Sequence, residues 1–335
     1  MSSTLIAVKV FLETNTFMLT SDDLVQLSDV SSFFKANVQS VFLKSTGLSD
    51  FGDVFKHPHC ITDLSVNDNH TKFEFLNQNS SVFLPRLKRL DVYSPSKSSF
   101  TSFCKNLKAN STVEILNIGD FIGIEGATAL AEAFKVNSTV KQIDLMFNSI
   151  DNAGTKTLAG ALKINSSISV LHLMSNFIGN EGVVALADTL KTNSTIVLRD
   201  LSSNSIAHEG SIALAEALKV NSTVTEIDLM ANCIGDVGIT ALASALKVNC
   251  TLTVMNLKLN SIGIEGATAL AEALKENSSV TKIDLGSNSI GDEGAMVMAD
   301  ALRDNSSIIA VTLKNNSIDP LIQQYVKIVS EGRLC

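Results

Sequence analysis

Hydrophobic and polar residues along this chain follow a pattern that returns every 28 residues. Residues 137–150 read NSTVKQIDLMFNSI, in which Val140, Ile143 and Leu145 are apolar and several of the residues between them are polar. Ile143 and Leu145 lie two positions apart, so both point to the same face of an extended strand. The pattern therefore predicts a short β-strand with one buried face in each copy. The copies open at Asn137, Asn165, Asn193, Asn221, Asn249, Asn277 and Asn305.

The second half of each copy has the composition of a helix. After a glycine, about ten residues follow that resemble ALAEALK, and Ala, Leu, Glu and Lys are strong helix formers. Leu242, Ala243 and Leu246 form one apolar stripe that can pack on the strand. We expect the next opening asparagine to end the helix, because Asn tolerates the left-handed conformation just past a helix C-terminus. The glycines are Gly126, Gly154, Gly182, Gly210, Gly238, Gly266 and Gly294.

Stacked copies of this unit predict a curved solenoid. Neighbouring strands pack about 4.8 Å apart and neighbouring helices about 8–10 Å apart, so the strands lie on the inside of the curve. A second asparagine follows each strand, and its amide is expected to bond backbone groups of adjacent turns rather than to act in catalysis. In the first copy, which is one residue short, we assign Asp120 to this position. The second asparagines are Asn148, Asn176, Asn204, Asn232, Asn260, Asn288 and Asn316.

The motif V-x-x-I-x-L-x-x-N-x-I at residues 140–150, followed by a helical half in a 28-residue period, resembles the ribonuclease-inhibitor-like class of leucine-rich repeats. Similar repeats occur in ribonuclease inhibitor, the Ran GTPase-activating protein, NOD-like receptors and tropomodulin-type actin regulators. The resemblance implies an α/β horseshoe with a parallel inner sheet and outer helices. It also implies a binding function and no single activity.

The repeat pattern divides the chain into four parts. We predict an N-terminal cap over 1–37, in which 21–37 form a capped helix, and degenerate repeats over 38–109. Eight regular repeats follow over 110–319, and 320–335 form a C-terminal cap. The degenerate strands are expected around Val38, Val41 and Leu43, around Ile61, Leu64 and Val66, and around Leu87, Leu90 and Val92, followed by a helix near 103–108.

One repeat breaks the pattern, because Arg199 occupies an inward strand position where an unpaired charge is costly. Either Arg199 has an acidic partner or the strand shifts locally so that Leu198 points inward. We favour the shift, which as a one-residue slip would turn over Asp200 and Leu201.

Charge and composition narrow the classes of molecule that could be the partner. The net charge of -8 disfavours nucleic acid, whose phosphates need clustered Lys and Arg, and suits a basic protein partner. No apolar run approaches the roughly 20 residues of a membrane helix. Five scattered cysteines suit reduced thiols. We therefore expect a cytoplasmic monomer with no membrane contact and no cofactor.

Function is expected on the concave face, meaning the strand positions that point away from the helices and the residues directly after them. One row there is mostly acidic, and a second contains methionines that can adapt to a partner surface. Lys258, Lys282 and Lys314 make its C-terminal third more basic. An inherited repeat consensus is the alternative explanation. The predicted partner-binding residues are Asp144, Met146, Phe147, His172, Met174, Asp200, Glu226, Asp228, Met230 and Lys258.

Enzymatic alternatives have weaker support. Asp144, His172 and Ser202 could imitate an acid, base and nucleophile, but a strand serine has no nearby helix N-terminus to stabilise an oxyanion. The HPHC segment at 57–60 lacks a second cluster that would complete a zinc site, and no phosphate-binding loop is present. We predict a non-catalytic interaction scaffold. The resemblance leaves GTPase activation as the alternative, although the chain ends VSEGRLC without the acidic run typical of the Ran regulator.

Overall fold

The computed structural model describes residues 16–19, 40–44, 63–67, 86–93 and 97–329. The strands are β1 (Thr16–Leu19), β2 (Ser40–Lys44), β3 (Asp63–Asn67), β4 (Arg89–Tyr93), β5 (Ile115–Gly119), β6 (Gln142–Asp144), β7 (Val170–His172), β8 (Val197–Asp200), β9 (Glu226–Asp228), β10 (Val254–Asn256), β11 (Lys282–Asp284) and β12 (Ala310–Thr312). The helices are α1 (Lys97–Leu107), α2 (Gly123–Phe134), α3 (Asn152–Leu162), α4 (Asn180–Leu190), α5 (His208–Leu218), α6 (Gly235–Leu246), α7 (Ile264–Glu276), α8 (Gly291–Asp304) and α9 (Pro320–Val329).

All strands in these ranges form one parallel sheet in chain order, β1 to β12. From β4 onward strands and helices alternate, and consecutive helices pack side by side. This confirms the predicted α/β leucine-rich-repeat solenoid. Strands β2, β3 and β4 lie where the degenerate repeats predicted them. The sheet also includes β1, which pairs in parallel with β2 although the sequence analysis assigned 1–37 to a cap. The helix predicted within 21–37 and the segment 57–60 lie outside the described residues.

The core is a continuous aliphatic layer between the sheet and the helices. Ile143 and Leu145 are fully buried, as their two-residue spacing predicted, and Leu242, Ala243 and Leu246 are buried on α6. Each inward strand residue packs among its counterparts in the neighbouring repeats, so the hydrophobic contacts extend without a break from Leu87 to Val326.

The opening asparagine of each repeat connects two repeats through its side chain. In Asn165, Nδ2 donates to the carbonyls of Phe134 and Asn137 at 2.8 and 2.9 Å. Its Oδ1 accepts the N–H groups of Ser167 and Ile168. The left-handed backbone predicted for this position is wrong, since Asn277 (φ -78°, ψ 133°) and Asn305 are extended. The backbone N–H of Asn165 bonds the carbonyl of Ala161 in its own helix, and its side chain satisfies the helix end of the preceding repeat.

The second asparagine confirms the predicted ladder of amide bonds. Nδ2 of Asn176 donates to the carbonyl of Leu145 in the preceding repeat at 2.9 Å. Its Oδ1 accepts the N–H of Asn148 at 3.2 Å and that of Ile150 at 2.9 Å. These bonds satisfy backbone groups where the chain leaves the sheet.

The first regular repeat lacks this asparagine, so the assignment of Asp120 to its position is wrong. Leu116 pairs with Ile143 in the sheet, and Asp120 has φ 70°, close to the 59° of Phe147. Asp120 therefore corresponds to Phe147. The residue that is missing from the short repeat is the asparagine itself.

Arg199 forms a bulge, as the preferred reading of the sequence predicted. Leu171 pairs with Leu198, whereas His172 pairs with Asp200, so Arg199 is the additional residue. Arg199 is exposed and Leu198 is buried. The predicted turning over of Asp200 and Leu201 is wrong, because the bulge restores the register and Leu201 is fully buried. Among the described residues, no helix is long and apolar enough to cross a membrane.

Candidate protein-binding face

The sheet brings the acidic row of the concave face into register. Asp144 pairs with His172, His172 with Asp200, and Asp200 with Asp228. All four side chains are half-buried. Adjacent strands lie about 4.8 Å apart, so Asp200 and Asp228 form a like-charge pair on neighbouring strands.

Each acidic residue of this row also accepts a hydrogen bond from a backbone N–H two residues later in the chain. One carboxylate oxygen of Asp228 accepts the N–H of Met230 at 2.9 Å, which closes a turn at the end of the strand. Asn256 makes the same bond to Lys258 without a charge. A neutral side-chain acceptor can therefore close this turn, so the turn does not require a negative charge. The equivalent bonds run from Met146 to Asp144, from Ser202 to Asp200 and from Gly286 to Asp284.

Burial makes the negative charge of the row costly. Desolvation raises the pKa of Asp144, and the nearby carboxylate of Asp200 raises it further, while the Met146 N–H and His172 lower it. Burial likewise raises the pKa of Asp228, with smaller contributions from Asp200 and Asp284. A cationic group placed over the row would relieve this repulsion.

The second row lies beside the first. Met146, Met174, Met230 and Lys258 are half-buried. Phe147 follows Met146 in a left-handed conformation that leaves 56% of it exposed. Glu226 is exposed and pairs with Val254 in the sheet. It is the first residue of β9, two positions before Asp228. The structure therefore places every predicted partner-binding residue on the concave face.

The suggested catalytic line does not form. Ser202 is almost completely buried, and its hydroxyl donates at 2.6 Å to Asp200, two residues earlier in the same repeat. The hydroxyl is therefore directed at a carboxylate rather than at His172. Among the described residues, no group of three or more His, Cys, Asp or Glu side chains could hold a metal ion.

The rims of the solenoid expose apolar residues that the sequence analysis did not select. Val136, Ile164, Val220 and Val248 are each more than 60% exposed and directly precede an opening asparagine. Their 28-residue spacing in an otherwise polar turn was the available signal. On the other rim, Phe121 and Phe177 are 75% and 67% exposed. These positions lie on either side of the concave face.

Comparisons with known proteins agree with the repeat architecture. The family model "TMOD/LMOD Leucine-rich domain" matches residues 198–324, and the model "Leucine Rich repeat" matches residues 136–159 and 165–187. A solved structure titled "Leiomodin-1 Actin-Binding Site 2 (ABS2)" is 24% identical, with a TM-score of 0.34. The match covers 40% of this chain and 79% of that chain. A search of curated proteins finds no match.

Proposed function

Because the chain is a leucine-rich repeat protein with a polar, partly charged sheet face, we propose that it is a non-catalytic scaffold that binds a partner protein on its concave face. The scaffold is ordered before the partner arrives, so little conformational entropy is lost on binding. The proposed contact residues are the ten named above, centred on Asp144, Asp200 and Asp228.

The surplus negative charge of the acidic row is the observation that supports this proposal. Asn256 shows that a neutral side chain can close the turn after the strand. Asp144 and Asp228 nevertheless retain carboxylates whose pKa values are raised by burial. Among the described residues, no hydrogen bond ends on Oδ2 of Asp144. At Asp144 and Asp228, charge that the fold does not need and that forms no salt bridge within the described residues suits an external cationic group.

The chemistry of the face defines the partner as a protein segment with Lys or Arg beside apolar side chains. A lysine or arginine would lie over the carboxylates of Asp200 and Asp228. Met174 and Met230 are unbranched and can repack around an apolar neighbour. Basic residues toward the C-terminal end, at Lys258, Lys282 and Lys314, would orient the partner along the solenoid.

Three neutral substitutions test the proposal. Asp144→Asn, Asp200→Asn and Asp228→Asn together remove three charges and keep the side-chain acceptor after each strand. The matched control removes three charges from the helical side, with Asp188→Asn, Glu216→Gln and Asp300→Asn. We expect a partner captured from cell extract to bind the control and the native protein alike, and to lose affinity for the concave variant. An equal affinity for all three proteins would refute the concave-face proposal.

Actin is the first purified candidate, because residues 198–324 match the TMOD/LMOD model and the repeats resemble those of tropomodulin-type actin regulators. If the captured partner is a GTPase, its rate of GTP hydrolysis with and without this protein separates passive binding from the GTPase-activating alternative. An unchanged rate supports the scaffold.

The proposal also includes the repeat subtype, the oligomeric state, the domain boundaries and the cellular compartment. We infer a ribonuclease-inhibitor-like repeat subtype, a monomer, and the boundaries 1–37, 38–109, 110–319 and 320–335. Cys104, Cys233 and Cys250 have free thiols, which supports a reducing compartment such as the cytoplasm.

A further inference from the structure

The turn that follows the last described strand, β12, has two backbone donors without an acceptor among the described residues. In the preceding repeat, Leu285 N–H donates to the carbonyl of Thr312 at 2.9 Å, and Ser287 N–H donates to that of Lys314 at 2.7 Å. The counterparts 28 residues later are the N–H groups of Leu313 and Asn315. Within the described part of the chain, neither has an acceptor. These two donors occupy the positions from which each preceding repeat bonds the next one.

An unpaired acceptor completes the same edge. The carbonyl of Thr281 accepts the N–H groups of Ile309 and Ala310 at 2.8 and 3.2 Å. Its counterpart, the carbonyl of Ile309, accepts no hydrogen bond from any described residue. Strand β12 pairs with β11 alone among the described strands. The C-terminal end of the solenoid thus presents one half of an inter-repeat hydrogen-bond ladder.

A cavity of about 360 Å³ lies beside this open edge, between the end of β12 and helix α9. Leu313, Ile318 and Val326 supply apolar walls, and Lys314 and Lys327 also line it. Among the described residues, the lining contains no carboxylate. An apolar side chain could enter this cavity while an acidic neighbour faces Lys314.

Helix α9 exposes apolar residues toward solvent at the same end. Leu321 and Ile328 are 76% and 70% exposed, and Tyr325 between them is 49% exposed. They lie at i, i+4 and i+7, which is one face of a helix. An exposed apolar stripe of this kind indicates a surface that suits an apolar partner.

We propose that the C-terminal end of the solenoid binds an extended acidic and apolar segment of a partner protein, which adds to β12 as one further parallel strand. Its amides donate to the carbonyl of Ile309, and its carbonyls accept from Leu313 and Asn315. An inward apolar side chain fills the cavity, and a carboxylate pairs with Lys314. This surface lies two strands beyond Asp228, with β10 and β11 between them, although Lys282 and Lys314 also border the concave face.

Strand direction and charge both favour such a segment over a second copy of this chain. Two copies joined edge to edge at β12 would run antiparallel about a two-fold axis and could not repeat the parallel hydrogen-bond pattern of the sheet. An acidic segment instead complements Lys314, which is exposed, and the exposed Lys282 on β11.

A peptide taken from the chain's own repeat is a suitable probe. The sequence VTEIDLMAN, residues 224–232, has the inward Ile and Leu and the outward Glu and Asp that the next strand would need. We expect saturable binding of the acetylated and amidated peptide to the full-length protein. We also expect slower amide hydrogen exchange at Leu313 and Asn315. A peptide methylated on the two nitrogens equivalent to Thr225 and Glu226 should bind at least about tenfold more weakly.

Two protein variants separate this site from the concave one. Lys314→Glu should weaken peptide binding, whereas Asp144→Lys should leave it unchanged, whether or not the acidic row binds a partner. Equal binding of the methylated peptide, or no protection of Leu313 and Asn315, would overturn strand addition. Sedimentation of the protein alone measures its oligomeric state and so tests whether a second copy of the chain occupies this edge. A dimer that protects those two amides would overturn the proposal in favour of a second copy.

Discussion

The side-chain amide of Asn256 donates a hydrogen bond to Oδ2 of Asp228 on the adjacent strand, at 2.9 Å. Oδ1 of Asn256 also accepts the N–H of Lys258 at 3.1 Å, as Asp228 accepts that of Met230. One neutral residue thus closes the turn and satisfies a neighbouring carboxylate. The geometry of the row and its charge are therefore separable properties, and substitution can test them independently.

Asp144→Asn should raise the free energy of unfolding at pH 7. Burial raises the pKa of Asp144 above its ordinary value of 3.8, so the folded protein binds its proton over a wider pH range than the unfolded chain. Stability therefore falls as pH rises through the window from 3.8 to the raised pKa. Asparagine keeps the bond to Met146 and does not titrate. The gain should be largest above that window and should vanish below pH 3.8, as measured by urea unfolding at several pH values.

Asn256→Asp is the reverse substitution, which adds a carboxylate to the row, and it serves as the control for Asp144→Asn. It inserts a carboxylate between Asp228 and Asp284, which flank it in the sheet register, and removes the bond to Asp228. We expect a loss of about 1 kcal/mol or more at pH 7. Part of that loss should be recovered near pH 3. If Asp144→Asn lowers stability at pH 7, the carboxylate itself would have a structural role and the surplus-charge argument would be wrong.

Asn165→Ala should destabilise the protein by about 2–4 kcal/mol, because it leaves buried carbonyl and amide groups of two repeats without partners. The groups affected include the carbonyls of Phe134 and Asn137. Ser166→Ala, at the exposed neighbouring position, is the control and should change stability by less than about 0.5 kcal/mol. Chemical unfolding followed by circular dichroism measures both. Similar small effects of the two substitutions would contradict the assigned role of the ladder.

The period of the sequence was enough to predict the layered fold, because burial acts on every repeat in the same way. Ile143 and Leu145 had to face the helices, and that fixed the direction of Asp144. Periodicity does not reveal which backbone group a polar side chain reaches. An asparagine at position 165 could satisfy a helix end from a left-handed backbone or through its side chain, and the spacing fits both.

The local irregularities of the repeats could be assigned only from the pairing of strands in the structure. A one-residue deletion near Asp120 can be aligned in several ways, and the pairing of Leu116 with Ile143 decides among them. Alternation likewise predicted that Asp144 and Asp228 lie on the opposite strand face from the buried Ile143 and Ile227. The hydrogen bond from Ser202 to Asp200 and the raised pKa of Asp144 depend on depth and distance, which alternation does not specify.

Asn152→Ala should cost about 1 kcal/mol, the usual effect of losing a helix N-cap. Oδ1 of Asn152, on α3, accepts the N–H groups of Gly179 and Gly182 at 2.8 and 3.0 Å, so it caps α4 in the next repeat. His208 occupies the equivalent position two repeats later and makes no such bond to α6 within the described residues. His208→Ala is therefore the matched control and should have little effect on the midpoint of unfolding. Equal effects would show that the side chain at this position acts through packing rather than through capping.

Two glycine substitutions should change the free energy of unfolding in opposite directions. A Cβ on Gly238 would lie 2.6 Å from Cγ2 of Ile234 and 3.0 Å from Cβ of Ser211, so α6 must move away from its own strand loop and from α5. We expect Gly238→Ala to cost about 1–3 kcal/mol, as overpacking usually does. Gly160, exposed within α3, has no heavy atom within 4 Å of an added Cβ, and Gly160→Ala should stabilise the helix by about 0.5–1 kcal/mol. Urea midpoints of the two variants measure the difference. If Gly160→Ala also destabilises the protein, an added side chain would be harmful even in open space, and the contact with Ile234 would not explain the cost of Gly238→Ala.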